Sequence, residues 1–368
     1  MKRMYLCAAA LIFSGFMFAQ TNNKSDVNQN GNSNDASVTQ QKLNNDSKID
    51  QDGNSNRGVA RMFSSDNRTR TIQDGNNNNA VTEITALPGS GGAGDNRAFV
   101  TQEGNENKGI VDIAGSMNQV DWLQDGNRNN IPSTFADGPK VDIEGVGNRA
   151  VVEQIGNDNE MNMGLYGDDN QARSFSTGNE NRSITRVFGD NNFTRIDQDG
   201  HRNNTVVEVA GLGSSDYNDA RVTQDGNDNS ALGDIAGDHN DVDIEQLGNR
   251  NNALDDFLPG DGATIVGDWN RIDIFQDGND NEGYSFAAGN DNRSFTDQLG
   301  NDNYSFVTQG KRDMSGVVTD HSFNSRSFVT QHGNSNTNNV LQVGSNQLST
   351  VVQMGNGNTS AVSQTSNN

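Results

Sequence analysis

A six-residue phrase, Gln-x-Gly-x-x-Asn, returns along most of the chain, often at a spacing of 22 residues. It begins at Gln29, Gln51, Gln73, Gln102, Gln124, Gln154, Gln198, Gln224, Gln246, Gln276, Gln298, Gln331 and Gln353. Weaker copies midway between these keep the glycine and the asparagine but begin with Ile113, Ile143, Leu165, Val187, Ile235, Ile265 and Ala287. The unit is therefore eleven residues long, and two units make one repeat. Such a short repeat restricts the chain to a stacked fold, because one unit alone cannot bury a core.

Alternation within the unit predicts one strand and one turn. Counted from the first residue, or head, the regular residues fall at positions 6, 8 and 10 and at the next head, as in Asn240, Val242, Ile244 and Gln246. That alternation has the period of a strand. The step from glycine at position 3 to asparagine at position 6 breaks it with residues that tolerate left-handed backbone angles. We therefore predict an all-β fold, a β-solenoid of about 14 rungs, with two short strands and two turns per repeat, stacked as two parallel in-register sheets in an amyloid-like, cross-β arrangement.

Composition alone would favour disorder. Hydrophobic residues make up only 31% of the chain, and 41 residues are glycine, a balance typical of chains that cannot bury a core. Stacked repeats can share a thin core that no single repeat could form, so the repetition outweighs the composition. The formal net charge of −23 makes the chain a poor nucleic-acid binder, because phosphate contacts need clustered cations.

Surplus residues interrupt the period in four places, near 85–92, 131–140, 210–216 and 257–264. We predict that each insertion lies in the turn opened by the half-unit that lacks glutamine, since a solenoid tolerates growth in loops on one edge. Without the insertions, residues 29 to 364 correspond to 14 rungs, a stack roughly 65–70 Å long. The repeat region is therefore placed at 29–368, after a short N-terminal segment at 20–28.

Residues 1–19 are predicted to be a secretory signal peptide. Lys2 and Arg3 precede an apolar stretch that ends in small residues, with the expected cut after Ala19. The stretch is too short, and has the wrong flanks, for a membrane span. Cys7 is the only cysteine and lies inside it, so the mature chain would have neither a disulfide nor a thiolate metal site. The expected product is a secreted chain.

The repeated amides predict a ladder through the stack. Each head lies above the head of the next rung, where an amide can donate to one neighbour and accept from the other. A buried amide is costly unless it is paired in this way. The predicted structural ladder comprises Gln51, Gln73, Gln102, Gln124, Gln154, Gln198, Gln224, Gln246, Gln276, Gln298, Gln331, Gln353, Asn56, Asn107, Asn159, Asn229, Asn281, Asn303 and Asn336. The predicted turn glycines are Gly53, Gly75, Gly104, Gly126, Gly156, Gly200, Gly226, Gly248, Gly278, Gly300, Gly333 and Gly355.

Other kinds of site have little support in the sequence. Asp recurs at position 2, and a row of carboxylates could bind calcium, but the sequence lacks both the twelfth-position glutamate of a helical calcium loop and a GGxGxD nonapeptide. The four histidines are scattered over outward or turn positions. Trp122 and Trp269 fall on different register positions, so we expect no stacking row from them. We predict no catalytic residues, no cofactor and no metal site.

The extended pattern Gln-x-Gly-x-x-Asn-x-Ala-x-x-x-Gln, in repeats of about 22 residues, resembles the curlin repeat of curli-type amyloid fibre subunits; Ile143 to Gln154 lead into it, and Gln331 to Gln342 show it. The resemblance covers residues 29–368. It implies a secreted structural subunit of extracellular fibres that serve in biofilm matrix and surface adhesion. It also implies self-association into a homopolymer, with a nucleator subunit and an outer-membrane secretion channel as partners.

Two departures from the curlin pattern leave the subtype open. Curlin repeats usually have serine six residues before the glutamine, where this chain often has asparagine, as at Asn96 before Gln102. The chain also has many more repeats than the familiar subunits, so a major subunit, a nucleator and an adhesin are not distinguished. The competing hypothesis is a monomeric secreted β-solenoid that binds carbohydrate, calcium or ice. Fibre formation by the mature chain would discriminate between the two.

Overall fold

The computed structural model describes residues 22–86, 94–130, 140–210, 215–252, 262–312 and 318–366. These residues form strands and turns, and none of them belongs to a helix that could cross a membrane. The predicted signal peptide lies outside these ranges, as do most residues of the four predicted insertions. The all-β prediction is confirmed.

Most of the strands belong to two long parallel sheets. The first, called here the glutamine sheet because the glutamine heads lie on it, contains β1 (Lys24–Asn30), β3 (Asp46–Asn54), β5 (Arg68–Asn76), β7 (Arg97–Asn105), β9 (Gln119–Asn127), β11 (Arg149–Ile155), β13 (Gln171–Asn179), β15 (Phe193–His201), β17 (Asp219–Asn227), β19 (Asp241–Asn249), β21 (Arg271–Asn279), β23 (Arg293–Leu299), β28 (Arg326–His332) and β30 (Leu348–Met354). The second, the aliphatic sheet, contains β2 (Asp35–Gln40), β4 (Arg57–Met62), β6 (Asn79–Thr85), β8 (Lys108–Ser116), β10 (Val141–Val146), β12 (Glu160–Tyr166), β14 (Arg182–Phe188), β16 (Asn204–Val209), β18 (Ser230–Ala236), β20 (Gly262–Val266), β22 (Glu282–Asn290), β24 (Tyr304–Gln309), β29 (Thr337–Ser345) and β31 (Thr359–Thr365).

One strand of each sheet makes a rung, and the chain alternates between the sheets to build rungs 1 to 14. Neighbouring strands are parallel and keep equivalent positions opposite each other: Gln246 faces Gln276, and Ile235 faces Ile265. The solenoid of two in-register parallel sheets is therefore confirmed. This register places identical side chains on top of one another. It is favoured because shifting one strand by one residue along its neighbour would turn all of its apolar core side chains towards solvent.

The core is a thin layer between the two sheets. Positions 8 and 10 and the heads point inward, and Ile244, Ile272, Ile235 and Ile265 are fully buried there. Burying one such side chain contributes about 1.5–3 kcal/mol. Each rung supplies only a few of them, so stability depends on stacking many rungs.

A fifth insertion, which the sequence analysis missed, corrects the way the rungs were counted. Gln298 and Gln331 are 33 residues apart yet face each other in neighbouring strands. The eleven surplus residues leave the stack after Gln309 and include an antiparallel pair, β25 (Lys311–Arg312) and β26 (Val318–Asp320), before β27 (Ser322–Phe323) rejoins the aliphatic sheet. The stack still has 14 rungs, because it begins earlier than predicted. β1 begins at Lys24, inside the segment 20–28 that was predicted to precede the repeats, and this extra strand offsets the eleven residues that leave the stack.

Two of the predicted insertions do not lie in the turn that the sequence analysis assigned to them. Val141 pairs with Val111, and Ala263 with Gly233, so residues 131–139 and 253–261 interrupt strands of the aliphatic sheet just after a glutamine-headed turn. An asparagine precedes each interruption, and its side chain replaces the missing backbone acceptor. Asn130 Oδ1 accepts the backbone N–H of Met161 at 2.8 Å, and the side chain of Asn252 plays the same part in the later rung. Most residues of the insertions near 85–92 and 210–216 lie outside the described residues, so their placement stays a prediction.

Candidate functional site: amide ladders and open stack ends

The predicted glutamines lie one above another inside the glutamine sheet. Gln246 Nε2 donates to Gln276 Oε1 at 2.9 Å, and Gln276 Nε2 donates to Gln298 Oε1 at 2.8 Å. The Gln246 amide also donates to the backbone carbonyl of Ser230 at 2.9 Å. All three glutamines are fully buried, and this pairing satisfies amides that would otherwise be costly. Both bonds between these heads run from the lower-numbered rung to the higher-numbered one.

The glutamines form two runs rather than one continuous ladder. Gln29 Nε2 begins the first run by donating to Gln51 at 2.7 Å. That run continues through Gln73, Gln102, Gln124 and Gln154. The second run contains Gln198, Gln224, Gln246, Gln276, Gln298, Gln331 and Gln353. Ser176 occupies the head of the rung between them, and its Oγ donates to Gln198 Oε1 at 3.1 Å.

The predicted asparagines line the corner where each glutamine-headed turn enters the aliphatic sheet. Asn281 shows the pattern: its backbone N–H donates to Asn251 Oδ1 at 3.1 Å, and its Nδ2 donates to the carbonyl of Gly300 at 2.7 Å. The predicted members Asn56, Asn107, Asn159, Asn229, Asn281, Asn303 and Asn336 are all buried. Each one ties its rung to the rung below and to the rung above. The asparagine corner therefore links rungs through backbone groups as well as side chains, whereas the heads of the glutamine runs bond to each other through their side chains.

The predicted turn glycines all have positive φ angles, and they stack closely on one another. Gly226 has a φ of 127°, and a Cβ atom placed there would overlap the carbonyl oxygen of Gly248 in the next rung. The same overlap recurs from one turn glycine to the next as far as Gly333 over Gly355. Glycine is required here both for its backbone angle and for the close approach of the next backbone.

Both ends of the stack leave strand edges that have no neighbouring strand among the described residues. β1 pairs only with β3, and every residue of β1 is exposed. At the other end, β30 pairs only with β28, and β31 only with β29. Gln353 and Gln364 of this last rung each accept a hydrogen bond of 2.8 Å from the rung below. Each end therefore presents unpaired backbone groups together with the last members of the amide ladders.

Residues 216–254 and 267–300 match the model of the curlin associated repeat. These two stretches match the curlin-repeat family. Its members are structural subunits of curli-type extracellular fibres rather than enzymes. The matched stretches contain rungs of both sheets on either side of the interruption at 253–261. No curated protein matches the chain.

The curlin-repeat stack has two further asparagine rows that the sequence analysis did not single out. The first lines the opposite corner, and its buried members are Asn45, Asn67, Asn96, Asn118, Asn148, Asn170, Asn192, Asn218, Asn240, Asn270 and Asn292. The second runs along the glutamine-headed turns at position 4, where Asn227 Nδ2 donates to Asn249 Oδ1 at 2.9 Å. The period would have revealed both rows, because each asparagine keeps a fixed distance from a head.

Aspartates replace the position-4 asparagines in several turns of the other edge. The row contains Asp168, Asp190, Asp216, Asp238 and Asp268. The Oδ1 atom of Asp238 accepts the backbone N–H of Asp216 at 2.9 Å, and Asp268 does the same for Asp238 at 3.0 Å. An ionised carboxylate can only accept, so these side chains bind the backbone but not each other. The two edges therefore differ in charge and in the number of bonds between rungs.

An exposed aromatic row corrects the expectation that the tryptophans take part in no stacking row. The rings of Tyr217 and His239 stack with centroids 5.0 Å apart, and those of His239 and Trp269 with centroids 4.1 Å apart. All three residues have φ angles near 59°, which bulky residues seldom adopt. Trp122, in contrast, is buried in the core. Insertions hid the alignment, because these three residues are not evenly spaced in sequence.

The described residues contain no group of three or more His, Cys, Asp or Glu side chains arranged to hold a metal ion. Carboxylates on the outer face of the glutamine sheet instead influence the pH response of the stack. Asp219 faces Asp241 in the neighbouring strand, and Asp243 lies two residues further along. Burial raises the pKa of all three carboxyls above their ordinary value of 3.8, although nearby arginines oppose the rise.

We expect the stack to become more stable as the pH falls from neutral towards 3.8. The raised pKa values of Asp241 and Asp243 mean that their charged forms cost stability in the folded state, and protonation removes that cost. Arginine hydrogen bonds lower the pKa of Asp228 and Asp280, so their contribution is lost only below the ordinary value. The midpoint of thermal unfolding, followed by circular dichroism, should rise over this window.

The matched variant is Asp241→Asn combined with Asp243→Asn, which should be more stable than the parent at neutral pH and should show a smaller rise on acidification. Asp26→Asn, on an outward position of rung 1, is the control and should keep the parent profile. A double variant whose pH profile matches that of the parent would contradict the assignment.

Proposed function

We propose that this chain is a structural subunit of extracellular, curli-like amyloid fibres, and that it assembles by templating at its open strand edges. The observation that carries the proposal is that no described strand covers the edge strands at either end of the stack. The edge strands of rung 14 read LSTVVQM and TSAVSQT, and they lack the charges and prolines that soluble proteins place on exposed edges to prevent association. The end at rung 14 therefore offers a template for another chain.

Secretion and a role in biofilm matrix and surface adhesion belong to the same proposal. They are supported by the match to the curlin associated repeat and by the basic residues and apolar stretch within residues 1–19. A nucleator subunit and an outer-membrane secretion channel are the proposed partners, and no nucleic acid, cofactor or catalytic residue is assigned. The predicted glutamines, asparagines and turn glycines are proposed as the polymerisation core, because they connect every rung to the next.

We expect the purified chain of residues 20–368 to form unbranched fibres at neutral pH. The fibres should bind amyloid dyes and give a meridional reflection near 4.8 Å, the spacing between rungs. Negative-stain microscopy with and without calcium is the measurement. A chain that stays monomeric at high concentration, with or without calcium, would instead favour the monomeric binding module.

A further inference from the structure

The rungs at the two ends of the stack share a feature that most internal rungs lack. Rungs 2 to 11 have an aliphatic head in the aliphatic sheet, as in Ile235 facing Ile265. Rung 1 has glutamine at both heads, Gln29 and Gln40. Rungs 12 to 14 also have glutamine at both heads, and the last pair is Gln353 and Gln364.

We propose that rungs 1 and 14 are matched to each other, so that a second copy of this chain joins each open end in one polarity and one register. The proposal rests on the proposed fibre function and specifies its joint. Rung 1 of the next copy would follow rung 14 as an ordinary next rung, with Gln29 over Gln353 and Gln40 over Gln364. The remaining inward pairs would be Ser25 over Ser349, Val27 over Val351, Ala36 over Ser360 and Val38 over Val362.

The chain itself contains an example of the mismatch that this joint avoids. Gln309 is the first glutamine of the short run in the aliphatic sheet, and it lies over Ala287. Its Nε2 donates to Gln342 Oε1 at 3.0 Å, but its own Oε1 is buried without a hydrogen-bond partner. An unpaired buried acceptor costs free energy. A joint that placed an aliphatic head, instead of Gln364, before Gln40 would leave the carbonyl oxygen of Gln40 in a similar position.

The direction of the ladders sets the polarity of the joint. Gln29 donates to Gln51 at 2.7 Å, so its carbonyl oxygen is turned towards the open end of rung 1. Gln353 accepts from Gln331 at 2.8 Å, and one N–H of its amide donates to the Thr337 carbonyl at 3.0 Å, so the second N–H is left for the open end of rung 14. One end therefore presents acceptors and the other presents donors. Two like ends would bring acceptor to acceptor or donor to donor.

The position-4 asparagines at the ends show the same direction. Asn32 Nδ2 donates to Asn54 Oδ1 at 3.0 Å, so the Asn32 carbonyl faces the open end of rung 1. At the far end, Asn356 Oδ1 accepts from the backbone of Asn334 at 2.9 Å. In the proposed joint, Asn356 would therefore donate to Asn32 of the next copy and continue the row.

Cysteine crosslinking reads the polarity and the register directly, because residues 20–368 contain no cysteine. Asp26 and Thr350 occupy outward positions that the joint would bring opposite each other, at about the 4.8 Å spacing of paired strands, which a disulfide can bridge. One batch carries Asp26→Cys and the other Thr350→Cys, and each batch alone should give no covalent dimer on treatment with oxidised glutathione. Fibres grown from the mixture should give dimers.

Crosslinking within either single batch would show that like ends meet, and it would overturn the proposal. Dimers from Thr350→Cys mixed with Lys48→Cys, which tests a joint shifted by one rung, would overturn it as well. If the unmodified chain formed no fibres at all, the proposed function itself would fail. The two failures are therefore distinguishable.

Replacing the glutamine heads of rungs 1 and 14 in the aliphatic sheet by leucine provides a second test of whether the two rungs are matched. Gln364→Leu or Gln40→Leu alone should slow elongation from seeds about tenfold, the scale of one unpaired buried amide. The double variant Gln40→Leu with Gln364→Leu should recover much of the rate, because it restores like against like. Circular dichroism of the monomer checks that each variant folds. Single variants that elongate at the parent rate, or a double variant as slow as the singles, would overturn the matching.

Discussion

Gly355→Ala is expected to stop fibre elongation while leaving the single chain folded. Gly355 has a φ of 98° in the last turn of the stack, and the nearest atom to a Cβ placed there is Asn358 Nδ2 at 3.9 Å. A methyl group at this position therefore meets nothing in the isolated chain. In every earlier turn of this row the same methyl would overlap the carbonyl oxygen of the next rung. In a fibre, Gly31 of the next copy would supply that oxygen.

The measurement is seeded elongation followed by dye fluorescence and microscopy, with thermal unfolding of the monomer alongside. Strain at such a φ angle costs about 1–3 kcal/mol in a protein, and fraying of the last turn can relieve part of it. Gly357→Ala is the matched control, because it lies in the same turn and no atom lies near its added Cβ. Side chains occupy the equivalent position in other rungs, for example at Ser335. Normal elongation by Gly355→Ala would show that fibres do not grow across this end.

Gly226→Ala is expected to have the largest effect on the stability of the single chain. Gly226 lies in the middle of the stack, has a φ of 127°, and is covered by the backbone of Gly248. The added methyl cannot move away from a backbone atom without separating two rungs. We expect a loss of at least about 3 kcal/mol, the sum of backbone strain and weakened hydrogen bonds between rungs. Chemical denaturation of the monomer measures it.

Gly233→Ala provides the matched control in the adjacent strand. A Cβ there would make only ordinary contacts, with Val242 Cγ1 at 3.7 Å and Val207 Cγ2 at 3.8 Å. Its backbone angle suits any residue, so alanine should be neutral or stabilise the stack by about 0.5–1 kcal/mol. If both variants lost the same stability, the close approach of the turn glycines would not be the cause.

The core of the stack could be predicted from particular residues. Gln246, Gln276 and Gln298 recur with a glycine and an asparagine at fixed distances, and any register other than the observed one would bury unlike groups against each other. The aliphatic heads followed from the same spacing. Parallel pairing could also be predicted. Each half-unit contains one strand and one turn, so a strand of one rung lies beside the equivalent strand of the next rung and runs in the same direction.

The places where the stack is interrupted could not be predicted in the same way. The sequence GNRNN precedes both interrupted strands, at Asn130 and at Asn252, but it gives no hint that an asparagine side chain will replace a backbone acceptor. The interval from Gln298 to Gln331 is a whole number of half-units. It therefore fits the period equally well as three half-units or as one rung with a protruding hairpin.

The sequence by itself determined the unit, the register and the inward-facing residues, because these depend on contacts between copies of one short pattern. The tertiary structure decided which sheet each interval returns to, and it aligned residues that insertions had separated, such as His239 and Trp269. It also showed that the amide ladders run in one direction and end in a donor face and an acceptor face. Hydrogen-bond direction is a property of side-chain orientation, and a sequence of amides alone does not specify it.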